Sequence, residues 1–165
     1  MIYDLALRVA VALGISSAFA LGATAEEPRR LKRKVESSAE TVIGIGARWS
    51  KACEGIEPPR ISLDQSPEHG FVCIRTATVK PRGILFGDAR QCIDMPMRGV
   101  QLIYRSRVQF SGPDRVGYTM AFPRGTRQFV VDIEVAPRET SAKDSNAPYE
   151  RQPTGPVPEC AALMS

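Results

Sequence analysis

Asp114 and Tyr118, in the run "QFSGPDRVGYTM", place a carboxylate and a phenol close together in the chain. Such groups can pass a proton between them, which is one route to general acid–base chemistry. Proton transfer to a substrate also needs a pocket and a third polar group, and the neighbouring residues offer no nucleophile or second base. His69, in "SPEHG", is the chain's one imidazole and so its one side chain with an ordinary pKa near neutrality. Pro67 and Gly70 flank it as turn formers, and its ring is expected to hydrogen-bond the turn backbone. Asp64, Glu68 and Asp88 are the carboxylates to weigh as a glycosidase pair or as calcium ligands, but they lack the evenly spaced oxygen donors of a calcium loop. The sequence contains no Gly-x-Ser-x-Gly elbow, His-Glu-x-x-His pair or phosphate loop. The expectation is a non-enzymatic protein without catalytic, cofactor-binding or metal-binding residues.

The cysteines point instead to cross-links. Cys53, Cys73, Cys92 and Cys160 make an even set with no Cys-x-x-Cys spacing, which disfavours zinc and dithiol redox chemistry. In an exported chain an even set reads as two disulfides. Export is expected from the first 25 residues. Arg8 and the α-amino group precede the apolar run "VAVALGISSAFAL", and Ala23-Thr24-Ala25 offers a cleavage site. That run, about 13 residues, is shorter than the ~20 of a membrane-spanning helix. A signal peptide over 1–25, cleavage near Ala25 and a periplasmic or secreted product follow as expectations.

Behind it, "EEPRRLKRKVESS", residues 26–38, shows no apolar period and is expected to be a flexible basic leader. Arg29, Arg30, Lys32, Arg33 and Lys34 concentrate much of the net charge of +4 there, enough for a weak attraction to anionic surfaces. For an exported chain nucleic acid is not the expected partner. From residue 39 to 136 short alternating runs are separated by Gly and Pro, the punctuation of an all-β domain. "RISLD" puts Ile61 and Leu63 on one face; "FVCIRT" puts Val72 and Ile74 on one face and Phe71 and Cys73 on the other. "QSPEHG" between them is expected to be a tight hairpin. In "GVQLIYR", Val100, Leu102 and Tyr104 alternate with Gln101, Ile103 and Arg105. "DRVGYTMAF" aligns Val116, Tyr118, Met120 and Phe122, and "RQFVVDIEVA" aligns Phe129, Val131, Ile133 and Val135, with "PRGT" as the turn between. Strands with one apolar face and no helices must stack face to face, hence an antiparallel β-sandwich. The tail, 137–165, is rich in Pro and polar residues and is expected to be irregular, tethered through Cys160.

"SPEHGFVCI", continued by "GVQLIYRSRVQFSGPDRVGYTMAFPRGTRQFVVDIEV", resembles the bacterial immunoglobulin-like or cadherin-like domains that occur in tandem in exported proteins. Their pattern is a "P-x-HG-x-V" hairpin, a "V-x-Y-x-P" strand, an "F-x-G-x-D-x-F-x-Y" corner and a closing "V-x-V-x-V" strand. Pro67, His69, Gly70, Val72, Tyr104, Phe110, Gly112, Asp114 and Tyr118 fall on it. Arg105-Ser106 departs from it where a proline is expected, as does Val116 in place of a second Phe. The match covers about Ser66 to Val135, less than half the chain. It implies an immunoglobulin-like β-sandwich in a small single-domain exported protein. The physical reading of the corner agrees with that assignment. Gly112 and Pro113 turn the chain, Phe110 plugs the edge, Asp114 accepts backbone N–H groups across the turn, and the Tyr118 hydroxyl reaches back to the turn as in a tyrosine corner.

Alternation also orders the cysteines. Cys73 lies opposite Val72 and Ile74, facing outward where a returning tail can meet it, while Cys53 and Cys92 lie in loops. Cys53–Cys92 with Cys73–Cys160 is therefore preferred over Cys73–Cys92 with Cys53–Cys160. What remains is binding or structure. Trp49, read either as an anchor or as a plug at the open end, joins the outward-facing Phe71 and Ile103 as possible partner-binding residues. The expectation is an exported module that binds a protein or a cell-envelope component. The alternatives are an inhibitor of an extracytoplasmic hydrolase through the 80–92 loop, with Arg82, Ile84 and Phe86 at its tip, and an envelope assembly factor without a dedicated ligand.

Overall fold

Alternating residues become strands wherever one face finds a partner to bury it. The computed structural model describes residues 26–138 and 150–160. Among these, the strands run β1 (Arg29–Glu36), β2 (Thr41–Trp49), β3 (Gly55–Ile56), β4 (Arg60–Gln65), β5 (Gly70–Val79), β6 (Met97–Ser106), β7 (Gly112–Phe122), β8 (Gly125–Ala136) and β9 (Gly155–Pro156), with a single 3-10 turn at Arg90–Cys92. A five-stranded sheet has the order β1-β8-β7-β4-β9 and a four-stranded sheet the order β3-β2-β6-β5. Ile43, Val72, Leu102 and Tyr104 from the smaller sheet meet Leu63, Val116, Tyr118, Met120, Val131 and Ile133 from the larger in one core. The fold is all-β, two sheets around a shared interior. The expected signal peptide and its cleavage site lie outside the described residues, as do 139–149 and 161–165 of the tail.

The basic leader is a strand. Residues Arg29 to Glu36 run parallel to β8, from Arg29 opposite Phe129 to Glu36 opposite Ala136. Val35 is buried and Leu31 packs on the core, with half-buried Arg33 between them, while Arg30, Lys32 and Lys34 face solvent. Two apolar residues and an arginine stem are enough for the inner face, because the ladder to β8 supplies the rest. A reading by composition registers only the charge.

"QSPEHG" is not a hairpin. Its flanking strands β4 and β5 belong to different sheets, so the segment carries the chain across the sandwich. Pro67 is fully buried there. The crossing is held by Asp114, a buried carboxylate on β7. It accepts the backbone N–H of Glu68 at 2.9 Å and of His69 at 3.1 Å, together with the N–H of Arg115. A fourth donor, the Tyr104 hydroxyl from β6, lies 2.8 Å from Oδ2.

The phenol that serves Asp114 is therefore Tyr104 and not Tyr118. Four residues of strand separate Asp114 from Tyr118 by about 13 Å, with Val116 between them on the same face. Tyr118 instead stacks on Phe129, ring centroids 5.0 Å apart, under β2. Burial pushes its pKa up to about 12, and the nearby Arg33 guanidinium offsets part of that rise. Phe110 packs at the edge of the core and stacks on the His69 ring at 4.1 Å. The His69 ring does not bond the turn backbone as expected: Arg107, which only donates, reaches Nδ1 at 2.8 Å.

The tail is also more ordered than its composition suggests. Gly155–Pro156 adds to β4 as β9, and the Gln152 side chain bonds both the N–H and the C=O of Val72 at 2.7 and 2.8 Å. Ile74 donates its N–H to Pro158. The disulfides are Cys53–Cys92 and Cys73–Cys160, the preferred pairing.

These contacts predict a graded mutational series, read by urea unfolding. Asp114→Asn leaves charged-acceptor bonds unmade and should cost about 3 kcal/mol, and Tyr104→Phe about 1–2 kcal/mol. Tyr118→Phe should change stability at pH 7 by less than about 0.5 kcal/mol. High pH separates the tyrosines further. An unfolded tyrosine ionises near 10 while folded Tyr118 holds its proton to about 12, so the unfolded chain binds fewer protons in that window and stability falls between those pH values. The fall should reach about 2–3 kcal/mol and should be missing from Tyr118→Phe.

Candidate functional site

The side of the sandwich away from the tail holds two open strand edges. Over Thr41–Ala47, β2 is paired only with β6, because β3 meets it only at Arg48 and Trp49. Its neighbour on that side, β1, is paired only with β8. Between the two edges runs a groove of about 1110 Å³.

The sequence of β2, "TVIGIGARW", builds the groove floor through a register shift. A bulge between Val42 and Gly44 interrupts the ladder to β6, after which Gly44 and Gly46 occupy the inward positions. A Cβ on Gly44 would sit 2.5 Å from the Tyr118 hydroxyl oxygen, and one on Gly46 would sit 2.8 Å from Pro59. With glycine inside, the larger side chains go outward. Val42 and Ile45 are 41% and 38% exposed, and Ile56 on β3 is 40% exposed, all lining the same groove.

Its rim is basic. Arg29 and Arg33 come from β1, Arg48 and Lys51 from the end of β2 and the loop after it, and Lys80, Arg82 and Arg124 from the far wall, against the carboxylates of Asp88 and Asp94. Among the described residues none of these cations is ion-paired with a carboxylate. Arg48 and Arg33 donate to the carbonyls of Glu57 and Lys32. The outward cations of β1 differ, since Arg30 lies 3.7 Å from Asp132, which Arg115 also holds at 2.7 Å. The basic run is thus divided between an unpaired groove wall and a partly neutralised sheet face.

Trp49 closes one end of the groove, its indole N–H donating to Ala89 at 3.3 Å. Cys53–Cys92 ties the loop after β2 to the same region. The 80–92 loop is drawn back onto the sandwich. Phe86 packs on Phe122 at 5.3 Å with the Arg127 guanidinium 5.4 Å over its ring, and Asp94 donates its N–H to Pro81 at 2.8 Å. Of the expected tip residues, Arg82 is exposed, Ile84 is half-buried and Phe86 is a packing residue.

Trp49, Arg82, Ile84 and Phe86 therefore meet in one groove. Phe71 lies elsewhere, half-buried on β5 opposite Arg105. Ile103 is not exposed: it forms a small buried cluster with Cys73 and Cys160 beneath the returning tail. Of the three carboxylates weighed for chemistry, Asp64 accepts from Thr119 at 2.7 Å, Glu68 pairs with Arg151 at 3.4 Å, and Asp88 lies apart from both in the groove lining. Val42, Ile45, Ile56, Arg33 and Arg48 are groove residues that alternation alone did not single out. The available signal was the Gly-x-Gly in "IGIGA", since glycine inside a strand marks a bulge or a close approach.

Fold and site together define an all-β, disulfide-linked domain with a basic, apolar-floored groove along one side. No protein-family model matches the chain. No curated protein matches it. Among solved structures it is similar to one titled "Solution Structure of Amebosin", at a TM-score of 0.35 and 13% identity over 67% of this chain and 99% of that one, a likeness too distant to carry a functional argument.

The groove floor predicts one substitution directly. Gly44→Ala forces the Tyr118 ring to move and should cost about 1–3 kcal/mol, measured by urea unfolding. The same substitution combined with Tyr118→Leu should recover part of that loss.

Proposed function

We propose that the chain is an exported, non-enzymatic module of the immunoglobulin-like class that binds a protein or cell-envelope component in the groove between β1 and β2. The observation that carries this reading is the combination of cations without carboxylate partners among the described residues, exposed Val42, Ile45 and Ile56, and Trp49 in one concavity. Isolated apolar residues on a surface are ordinary, whereas a contiguous apolar strip with a charged rim and a tryptophan is the composition of a binding site.

Several features favour the class. The first strand pairs in parallel with the last long strand, while β4 and β5 part into different sheets, an arrangement in keeping with an immunoglobulin-like sandwich. Two disulfides suit an oxidising compartment, in line with the apolar run before Ala25. The non-enzymatic reading draws on the occupation of the candidate groups: Asp114 by four donors, His69 by Arg107 and Phe110, Asp64 by Thr119.

Immobilised chain, with disulfides intact, tests this against envelope extract beside Trp49→Ala and Arg48→Glu versions. Near-UV circular dichroism checks that each is folded. A component retained by the wild type and reduced about tenfold or more by either substitution is the expected result. Retention of nothing, or retention indifferent to both substitutions, counts against the groove as a binding site.

A further inference from the structure

We infer that the groove's occupant is an extended acidic polypeptide segment that joins the smaller sheet as an added strand on the free edge of β2. This deepens the binding-module reading above and rests on it. The first ground is how this molecule treats its other edges. An exposed strand edge presents unpaired N–H and C=O groups that invite further strands, and proteins usually cover or charge such edges. Here β4 is covered by β9, and the edge of β5 is capped from Val72 to Ile74 by the Gln152 amide, the Pro158 carbonyl and the Cys160 disulfide. The edge of β1 carries cations along its length, and β3 is too short to template anything. Among the described residues, β2 from Val42 to Ala47 is the longest stretch of edge left both uncovered and uncharged, ahead of the four residues Thr76–Val79 of β5 beyond the tail's reach.

The second ground is fit. That stretch spans about 20 Å, an ordinary strand length, and backbone pairing along it gives affinity while alternate side chains give selectivity. Val42 and Ile45, exposed beside the edge, favour an apolar or β-branched residue at every second position of the guest.

The third ground is charge. Arg33 lines the groove across from the edge, and Arg48 and Lys51 line it at the edge's C-terminal end, without carboxylate partners among the described residues, so the guest's remaining positions should be Glu or Asp. The same cations argue against a second copy of this chain, whose own β2 edge would bring like charges together.

The test uses the disulfide-intact chain and three capped synthetic peptides: an acidic one, EVTVEVE; its lysine counterpart, KVTVKVK; and EVTVEVE with alternate backbone nitrogens methylated. Anionic phosphatidylglycerol vesicles form a fourth arm. Amide hydrogen exchange over residues 41–47 and the emission of Trp49, the one tryptophan, are the readouts. The acidic peptide should slow exchange in β2 about tenfold or more and shift Trp49 emission, with Arg48→Glu weakening binding about tenfold; the lysine and methylated peptides should do neither. Equal binding of the methylated peptide, or a Trp49 shift without protection of β2, overturns strand addition while leaving the groove as a binding site. No response to the acidic peptide at millimolar concentration, or protection of β2 by vesicles alone, overturns the acidic-strand inference. The envelope-extract experiment with Trp49→Ala judges the groove separately.

Discussion

One buried carboxylate sets the relation between the two sheets. Asp114 sits on β7 of the larger sheet, bonds Tyr104 on β6 of the smaller one, and holds the backbone of the segment that crosses between them. Burying a charge costs several kcal/mol unless its lone pairs are filled, and here four donors fill them. The same bonds remove the freedom of the crossing residues, so β5 can only start beside β6 and β4 only beside β7. Pro67, buried beneath this segment, and Phe110, stacked on His69, close the apolar side of the same corner. Hydrophobic burial of the strands supplies most of the driving force for folding, but it is non-directional, and the carboxylate gives it a direction.

The two lateral sides of the sandwich are treated differently. On one side the tail spans from β4 to β5, supplying a short strand, a side-chain amide that imitates a strand, and a disulfide. By the loop-closure model the Cys73–Cys160 link, 87 residues apart in sequence, is worth about 4–5 kcal/mol as an upper figure. Nothing among the described residues does this on the other side. There the bulge in β2 and its two inward glycines let the Tyr118 ring fill the interior and turn Val42 and Ile45 outward. The core packing of Tyr118 and the apolar strip of the groove are thus two consequences of one local sequence.

Electrostatics complete that asymmetry. The outward cations of β1 share a sheet face with Asp132 and Glu134, which lie opposite Lys32 and Lys34 in the register. Those facing the groove, Arg29 and Arg33, lie opposite Phe129 and Ile133 instead. A partly enclosed surface on which one sign of charge predominates strengthens the field within it, and here seven cations outnumber Asp88 and Asp94. The arrangement suits attraction of an anionic partner to the groove and not to the molecule as a whole.

Residue order alone was sufficient for the long strands β5 to β8, because their apolar residues alternate without interruption and each has one face to bury. It was also sufficient for the pairing of Cys73 with Cys160, since alternation placed Cys73 outward. It was insufficient wherever a contact distant in sequence made the choice. β1 is a strand only because β8 offers it a ladder, and "SPEHG" crosses between sheets only because Asp114, far along the chain, binds its backbone. Tyr104 and Tyr118 both alternate into the core, so no local pattern tells which of them reaches Asp114; that depends on which strand end lies beside the crossing. The groove was legible only in pieces, as a tryptophan, a basic run and a Gly-x-Gly. A concavity is formed by what is missing between two edges, and only the tertiary structure determines which edges are left open.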